Sequence, residues 1–336
     1  DKKCTPLFNV PPETDVDAAV LRDAADRAKP PQSFYELQVN SIKATKQAID
    51  DGERLIEIEF PPLPAQVLEM DDVSAYEVTE ANLKLAIDYS KAFAAEGKKV
   101  TILLPDEAEA NIVTENIGGG RNPHPGVSIS SLRRSEEGDD RIFKPEQLFL
   151  SLLGGKSGVV KPVDGTDMYI IIVASAQELP DVEELAKQLD DDKVICMYNL
   201  KLDILRGDLG APAFPSKEFH DRFLSQVRPV YYLRTRQYSR SIAQPPYLVN
   251  YQGCLFRTYP GQFQTLLDAG NGSYRRVCGG EFKPPLGVFK EQLTDALKVE
   301  GIIQEESSAL NFLRTGYKTT TWWEDERDEA SDAWRT

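Results

Sequence analysis

The triplet Gly155-Lys156-Ser157 has the residue types that close a phosphate-binding loop. Such a loop runs G-x-x-x-x-G-K-[ST], follows a strand and opens a helix, so that amides and lysine wrap a polyphosphate. Here the place of the first glycine is taken by Leu150, a helical pattern (about Pro145–Leu153) precedes the triplet, and a strand pattern follows it. The order is inverted. Gly154 and Gly155 read as the end of a helix. No ATP or NAD site and no cofactor is expected.

Other anion sites would lie at the carboxyl ends of parallel strands. After Leu104 and Ala174 the chain carries Asp106, Glu107, Glu178 and Asp181. These suit helix N-termini as caps and dipole partners, and they repel an incoming phosphate. The segment GGGRNPHPG (Gly118–Gly126) precedes a strand and reads as a flexible loop rather than an anion site.

A serine or cysteine nucleophile needs a base within reach. There are two histidines, His124 and His220, and no GxSxG elbow. His220, in SKEFHDRFL, reads as a structural histidine on a helix surface or half-buried. The four cysteines, Cys4, Cys196, Cys254 and Cys278, form no CxxC and give no zinc spacing. Cys196, Cys254 and Cys278 lie in apolar or strand-like segments and are expected to be reduced and mostly buried. Asp139 and Asp140 belong to a solvated charge run. No catalytic, cofactor-binding or metal-binding residue is assigned.

Charge is distributed unevenly. The 336 residues carry a net charge of -15, which repels free nucleic acid. Yet no acidic residue lies between Asp221 and Asp268, where Arg222, Arg228, Arg234, Arg236, Arg240 and Arg257 are interleaved with Tyr231, Tyr232, Tyr238, Tyr247 and Tyr251. Three readings stand: the arginines answer the protein's own acid, they form a partner surface, where Arg and Tyr are enriched, or they form an RNA-binding strip, against which the net acidity argues. The candidate contact residues are Arg228, Arg234, Arg236, Tyr238 and Arg240. Trp322 and Trp323, in a tail too polar to fold alone, are expected to order only on contact.

The elements that must carry these residues alternate. Ser33 with Glu36, and Ser74 with Glu77, are capping-box signatures opening two helices; Leu83, Ile87, Ser90 and Phe93/Ala94 then share one helix face. RLIEIEF (Arg54–Phe60), KVTILL (Lys99–Leu104), GVSISSL (Gly126–Leu132), MYIIIV (Met168–Val173) and KVICMYNL (Lys193–Leu200) read as strands between helical patterns. The expectation is α/β: a mostly parallel sheet with helices on both faces, Rossmann-like. From about residue 229 closely spaced strand patterns, including two around Asn271-Gly272, predict a C-terminal antiparallel extension. The expected organisation is an N-terminal extension (1–31), one α/β domain (32–300) and a polar, acidic tail (301–336). No run of about 18 apolar residues exists, so no transmembrane helix is expected.

ERLIEIEFPPLP, VTILLPD, LPDVEELAKQL, VICMYNLKLDILRG, HDRFLSQVRPVYYLR and LFRTYPGQFQTLL together resemble a chloroplast and cyanobacterial domain family of unknown function. That family includes the plant "low photosystem II accumulation" assembly factors of the third type, and a similar domain is fused to a plastid adenylate kinase. The resemblance covers about residues 30–300. It implies a non-enzymatic plastid protein of the chloroplast stroma, peripheral on the stromal face of the thylakoid. Its partners would be photosystem subunits, most of all of photosystem II, or other thylakoid membrane proteins, bound as an assembly factor or peripheral subunit. Asp1 would then follow a trimmed import sequence. The alternative is a small-molecule or nucleotide-binding α/β domain with a regulatory or enzymatic role.

Overall fold

The computed structural model describes residues 16–64, 67, 73–115, 117–134, 158–242, 245–270, 272–303 and 320–336. The Gly-Lys-Ser triplet, the helix expected before it and the Asp139–Asp140 run lie outside the described residues.

Helices α1 (Val16–Asp26) and α2 (Phe34–Asp50) precede strand β1 (Leu55–Glu59). The capping box expected at Ser74 is complete, and the one expected at Ser33 is half formed. Ser33 Oγ accepts from the Glu36 amide at 3.1 Å, and Ser74 with Glu77 forms the full reciprocal box at the start of α3 (Ala75–Ala94). Strand β2 (Val100–Leu104), helix α4 (Glu107–Glu115) and strand β3 (Val127–Ser131) follow. A short ribbon pairs β4 (Arg133–Arg134) with β5 (Val159–Val160). Then come β6 (Met168–Ile171), α5 (Leu179–Gln188), β7 (Val194–Tyr198), α6 (Leu202–Asp208) and α7 (Glu218–Arg222). The last third is β8 (Arg228–Ser241), β9 (Leu248–Thr258), β10 (Phe263–Gly270), β11 (Ser273–Gly280) and α8 (Leu286–Val299).

Nine strands line up as β11-β10-β9-β8-β1-β7-β6-β2-β3. The fold is the mixed α/β arrangement expected, mostly parallel with a C-terminal antiparallel run. β7, β6, β2 and β3 pair in parallel, and β8 to β11 pair antiparallel in sequence order. The change falls at Arg228, where the sequence placed it. Every residue of β2, β6 and β7 is buried, as parallel strands covered on both faces require.

By internal packing the chain forms two compact units. One holds the described residues of 53–56 and 61–219. Its core includes Tyr89, whose ring centroid lies 5.1 Å from both Phe93 and Tyr198. A buried amide pair, Asn199 Nδ2 donating to Asn82 Oδ1 at 2.8 Å, links β7's end to α3.

The other unit holds the described residues of 1–52, 57–60 and 220–336. Tyr232, Tyr251, Phe263, Phe289 and Leu293 lie in its apolar cluster. β9 runs unbroken through Leu248–Thr258. Gly253 interrupts the apolar pattern for a packing reason: a Cβ there would lie 2.4 Å from Leu293 Cδ1 of α8.

The expectation for the tail is corrected. Residues 320–336 pack within this unit without a partner, and Trp323, Ala333 and Trp334 are buried. Three tryptophans and an alanine supply enough apolar surface to anchor an otherwise acidic segment.

Candidate functional site

β8 carries the arginine-tyrosine segment. Strand geometry puts alternate residues on one face, so Arg234, Arg236, Tyr238 and Arg240 share a face. Across the register they meet Leu255, Gly253, Tyr251 and Val249. Tyr238 stacks on Tyr251 at 5.5 Å and lies 6.4 Å from Phe289, with Lys290 Nζ 5.5 Å from its ring centroid. Helix α8 therefore covers part of this face, and the three arginines are half-buried around the tyrosine. Burial pushes the Tyr238 phenol pKa up, while Arg236 and Arg234 pull it down. No ion pair or hydrogen bond joins Arg236 to another side chain among the described residues. At the far end of the β8–β9 ribbon Tyr247 and Leu248 are exposed.

The other sequence-predicted residues lie elsewhere. Arg228 Nη1 donates to the main-chain oxygen of Thr336 at 2.6 Å and to its hydroxyl at 2.9 Å. Arg257 is buried, with its guanidinium 4.8 Å from the Phe263 ring centroid. Trp323 is buried and Trp322 half-buried. The Trp322 ring meets His220 edge-on at 5.8 Å and has the Arg327 guanidinium 4.9 Å from its centroid. So the interval splits: Arg228 and Arg257 serve internal packing, and Arg234, Arg236 and Arg240 form the candidate surface with Tyr238.

His220 is fully buried rather than at a helix surface. Its Nε2 meets Glu329 Oε1 at 3.2 Å, and its ring packs edge-on against Trp334 at 5.0 Å. His220, Asp221 and Glu329 form a group whose ligand atoms lie within 4.8 Å of one another. Their oxygens are already engaged. Asp221 accepts two 2.6 Å bonds from Arg327, and Glu329 Oε2 accepts from Trp334 Nε1 at 2.9 Å and from Arg335. A cation here would displace a complete set of charge-assisted bonds. The group acts as a clasp for the C-terminal segment.

At the carboxyl ends of the parallel strands the acids are paired rather than only capping. Asp106 caps α4 by accepting from the Glu109 amide at 2.8 Å, and Glu178 accepts from the Ser175 amide at 3.0 Å. Glu107 instead accepts from Arg121 at 2.7 Å and from Ser131 at 2.6 Å. Asp181, buried, takes a forked pair of 2.8 Å bonds from Arg133. Val173, after β6, has φ +65; a β-branched residue there is strained by about 1–3 kcal/mol.

One expectation about thiols is overturned. Cys196 and Cys254 are free and buried, but Cys278 is disulfide-bonded. Cys4 lies outside the described residues. Apolar surroundings report burial, not oxidation state, and β11 is an edge strand whose open side another segment can reach. Burial pushes the Cys254 thiol up to about 12, so it is no nucleophile.

Sequence reasoning missed the shape of Gly118–Gly126. Gly119, Gly120 and Gly126 all have positive φ, and Asn122, His124, Pro125 and Gly126 form a wall of a cavity of about 450 Å³. The glycines signalled turns; that the turns enclose space depends on strands far away in sequence.

No helix among the described residues is long and apolar enough to cross a membrane. No curated protein and no solved structure matches the chain. Residues 31–291 match the family described as "Domain of unknown function (DUF1995)", and by that match, which spans the α/β elements and the arginine-tyrosine ribbon, the chain belongs to that family.

Proposed function

We propose that the protein is a non-enzymatic interaction protein of the photosynthetic membrane. In this reading it lies in the chloroplast stroma and docks on a photosystem, photosystem II first, as an assembly factor or peripheral subunit. The observation that carries the docking part is the face of β8 bearing Arg234, Arg236, Tyr238 and Arg240, in a stretch free of acid within a chain of -15. Planar guanidinium groups beside a rigid tyrosine are what interface centres use. They meet carboxylates of a membrane complex with forked hydrogen bonds. The plastid and photosystem part rests on the resemblance of the segments between Glu53 and Leu267 to the assembly-factor family.

The test is native electrophoresis of gently solubilised thylakoids, followed by immunodetection of the protein. Co-migration with a photosystem or its assembly intermediates is expected. A protein found only as the free monomer, under conditions that keep known peripheral subunits bound, would overturn the reading.

A further inference from the structure

The cavity named above sits where the amino ends of β2, β3 and β6 meet. It is lined by Lys99, Thr101, Asn122, His124, Ser128, Asp164, Gly165 and Thr166, among others, within one compact unit. Its volume, about 450 Å³, is in the range of small-molecule sites.

Three hydroxyls form a chain across it. Thr101 Oγ1 lies 3.0 Å from Ser128 Oγ and 2.7 Å from Thr166 Oγ1. Thr101 and Thr166 are buried, and Ser128 is half-buried. Register explains the meeting: Thr101 pairs with Ser128 across β2–β3. Each hydroxyl has one proton to give. Two contacts use two of the three protons, and no other side-chain bond is made by these hydroxyls among the described residues. One donor therefore remains: on Ser128 or Thr166 where the two bonds run in one direction, or on Thr101 where it accepts from both. An acceptor beside Ser128 would align all three in one direction, Thr166 to Thr101 to Ser128 to acceptor.

The charged groups complete the pattern. The Lys99 ammonium has no ion pair among the described residues. It lies across Gly165, where a Cβ would be 3.3 Å from Nζ; Gly165, at φ +70, leaves room for it. His124 Nδ1 is 2.8 Å from the Pro125 carbonyl, which can only accept, so Nδ1 donates and Nε2 of the neutral ring is an acceptor for a ligand hydroxyl. Asp164 and Asn122 add a carboxylate and an amide, which suit the hydroxyls of a polyol. Asp167 nearby does not compete for Lys99 Nζ: it accepts from the Lys99 amide at 2.9 Å and from Lys193 Nζ at 3.3 Å.

We propose that this cavity binds a small phosphorylated polyol, with the phosphate held by Lys99 and the Ser128 end of the hydroxyl chain and the polyol hydroxyls by His124 Nε2, Asp164 and Asn122. The inference is independent of docking on a membrane complex.

The experiment is titration of the full chain with ribose 5-phosphate, with ribose and inorganic phosphate as matched probes. It is read by calorimetry and by amide shifts of Gly126, Ser128, Gly165 and Thr166. Ribose 5-phosphate is expected to bind at least about tenfold more tightly than either probe, since it alone fills both halves. Lys99→Ala, at an exposed position, should weaken it about tenfold or more with an unchanged melting temperature. Thr101→Val should weaken it several-fold. Equal affinity for inorganic phosphate, no shift at the four amides, or unchanged affinity in Lys99→Ala would each overturn the proposal.

Discussion

Nε2 of His220 lies 3.2 Å from Oε1 of Glu329, 109 residues further along the chain, and both side chains are buried. Around this contact the C-terminal segment is fastened by Arg327 on Asp221, by the Ala330 amide on the Asp221 carbonyl at 2.8 Å, and by Trp334 on Glu329. The acidic sequence TWWEDERDEASDAW is thus a packed strap, held by Glu329 bonded to His220, Trp334 and Arg335 and by Arg327 bonded to Asp221 outside it.

Removing the strap's central acid should cost more than removing an exposed one. Glu329→Ala strands His220, Trp334 Nε1 and Arg335 together, and about 2–4 kcal/mol of stability should go with it. Glu326→Ala, exposed on the same segment, should change stability by less than about 0.5 kcal/mol. Urea unfolding of the two variants makes the comparison; equal midpoints would show that the clasp is not structural.

Gly253 should tolerate no side chain. Alanine there places Cβ against Leu293 Cδ1 and Cδ2, at 2.4 and 2.7 Å, and 3.0 Å from the Leu266 carbonyl. Overpacking of this kind costs about 1–3 kcal/mol. Leu293→Ala in the same chain should recover part of the loss, a coupling that a double-mutant cycle measures. Strictly additive effects would contradict the contact.

The three described cysteines should separate by chemistry. In the native protein at pH 8, iodoacetamide should leave Cys254 unmodified, because burial holds its thiol at about 12 and the reagent needs thiolate. Denaturation alone should expose Cys196 and Cys254, and Cys278 should react only after reduction. Peptide mass mapping distinguishes these steps; alkylation of Cys278 without a reductant would contradict the disulfide.

Acid should weaken the loop that holds Asp167. The Lys99 amide, and then the Lys193 ammonium, hold its carboxyl below the usual range against the opposing effect of burial. A depressed carboxylate contributes stability that is complete above the unfolded value, about pH 4, and is lost as pH falls through the lower folded value. Asp167→Asn should therefore lower the melting temperature at pH 7 and leave it nearly unchanged at about pH 2. A difference that persists undiminished into acid would assign the effect to something other than charge.

Much of the fold was legible because it is written locally. Helix caps at Ser33 and Ser74 and apolar runs such as Val100–Leu104 depend on neighbours within a few residues. The reason for Gly253 inside β9 was not legible, since only Leu293 of α8 beside it shows why a side chain is excluded. The clasp and the hydroxyl chain were hidden for the same reason. His220 with Glu329, and Thr101 with Thr166, are separated by 109 and 65 residues, and only the folded chain brings them together. The shared face of Arg234, Arg236, Tyr238 and Arg240 appears only because β8 runs as one strand to Ser241, and nothing local said that α8 would cover part of it.

The central claim is docking through that face of β8, and charge reversal there measures it most directly. Arg236→Glu with Arg240→Glu leaves Arg228 and its bonds to Thr336 intact. Thylakoid membranes should pellet the unaltered protein at low salt and release it as salt rises, because exposed charge pairs are screened. The double variant should pellet at least about tenfold less well, with an unchanged melting temperature. Equal pelleting of both proteins at equal melting temperature would contradict the account and assign these arginines to the protein's own charge balance.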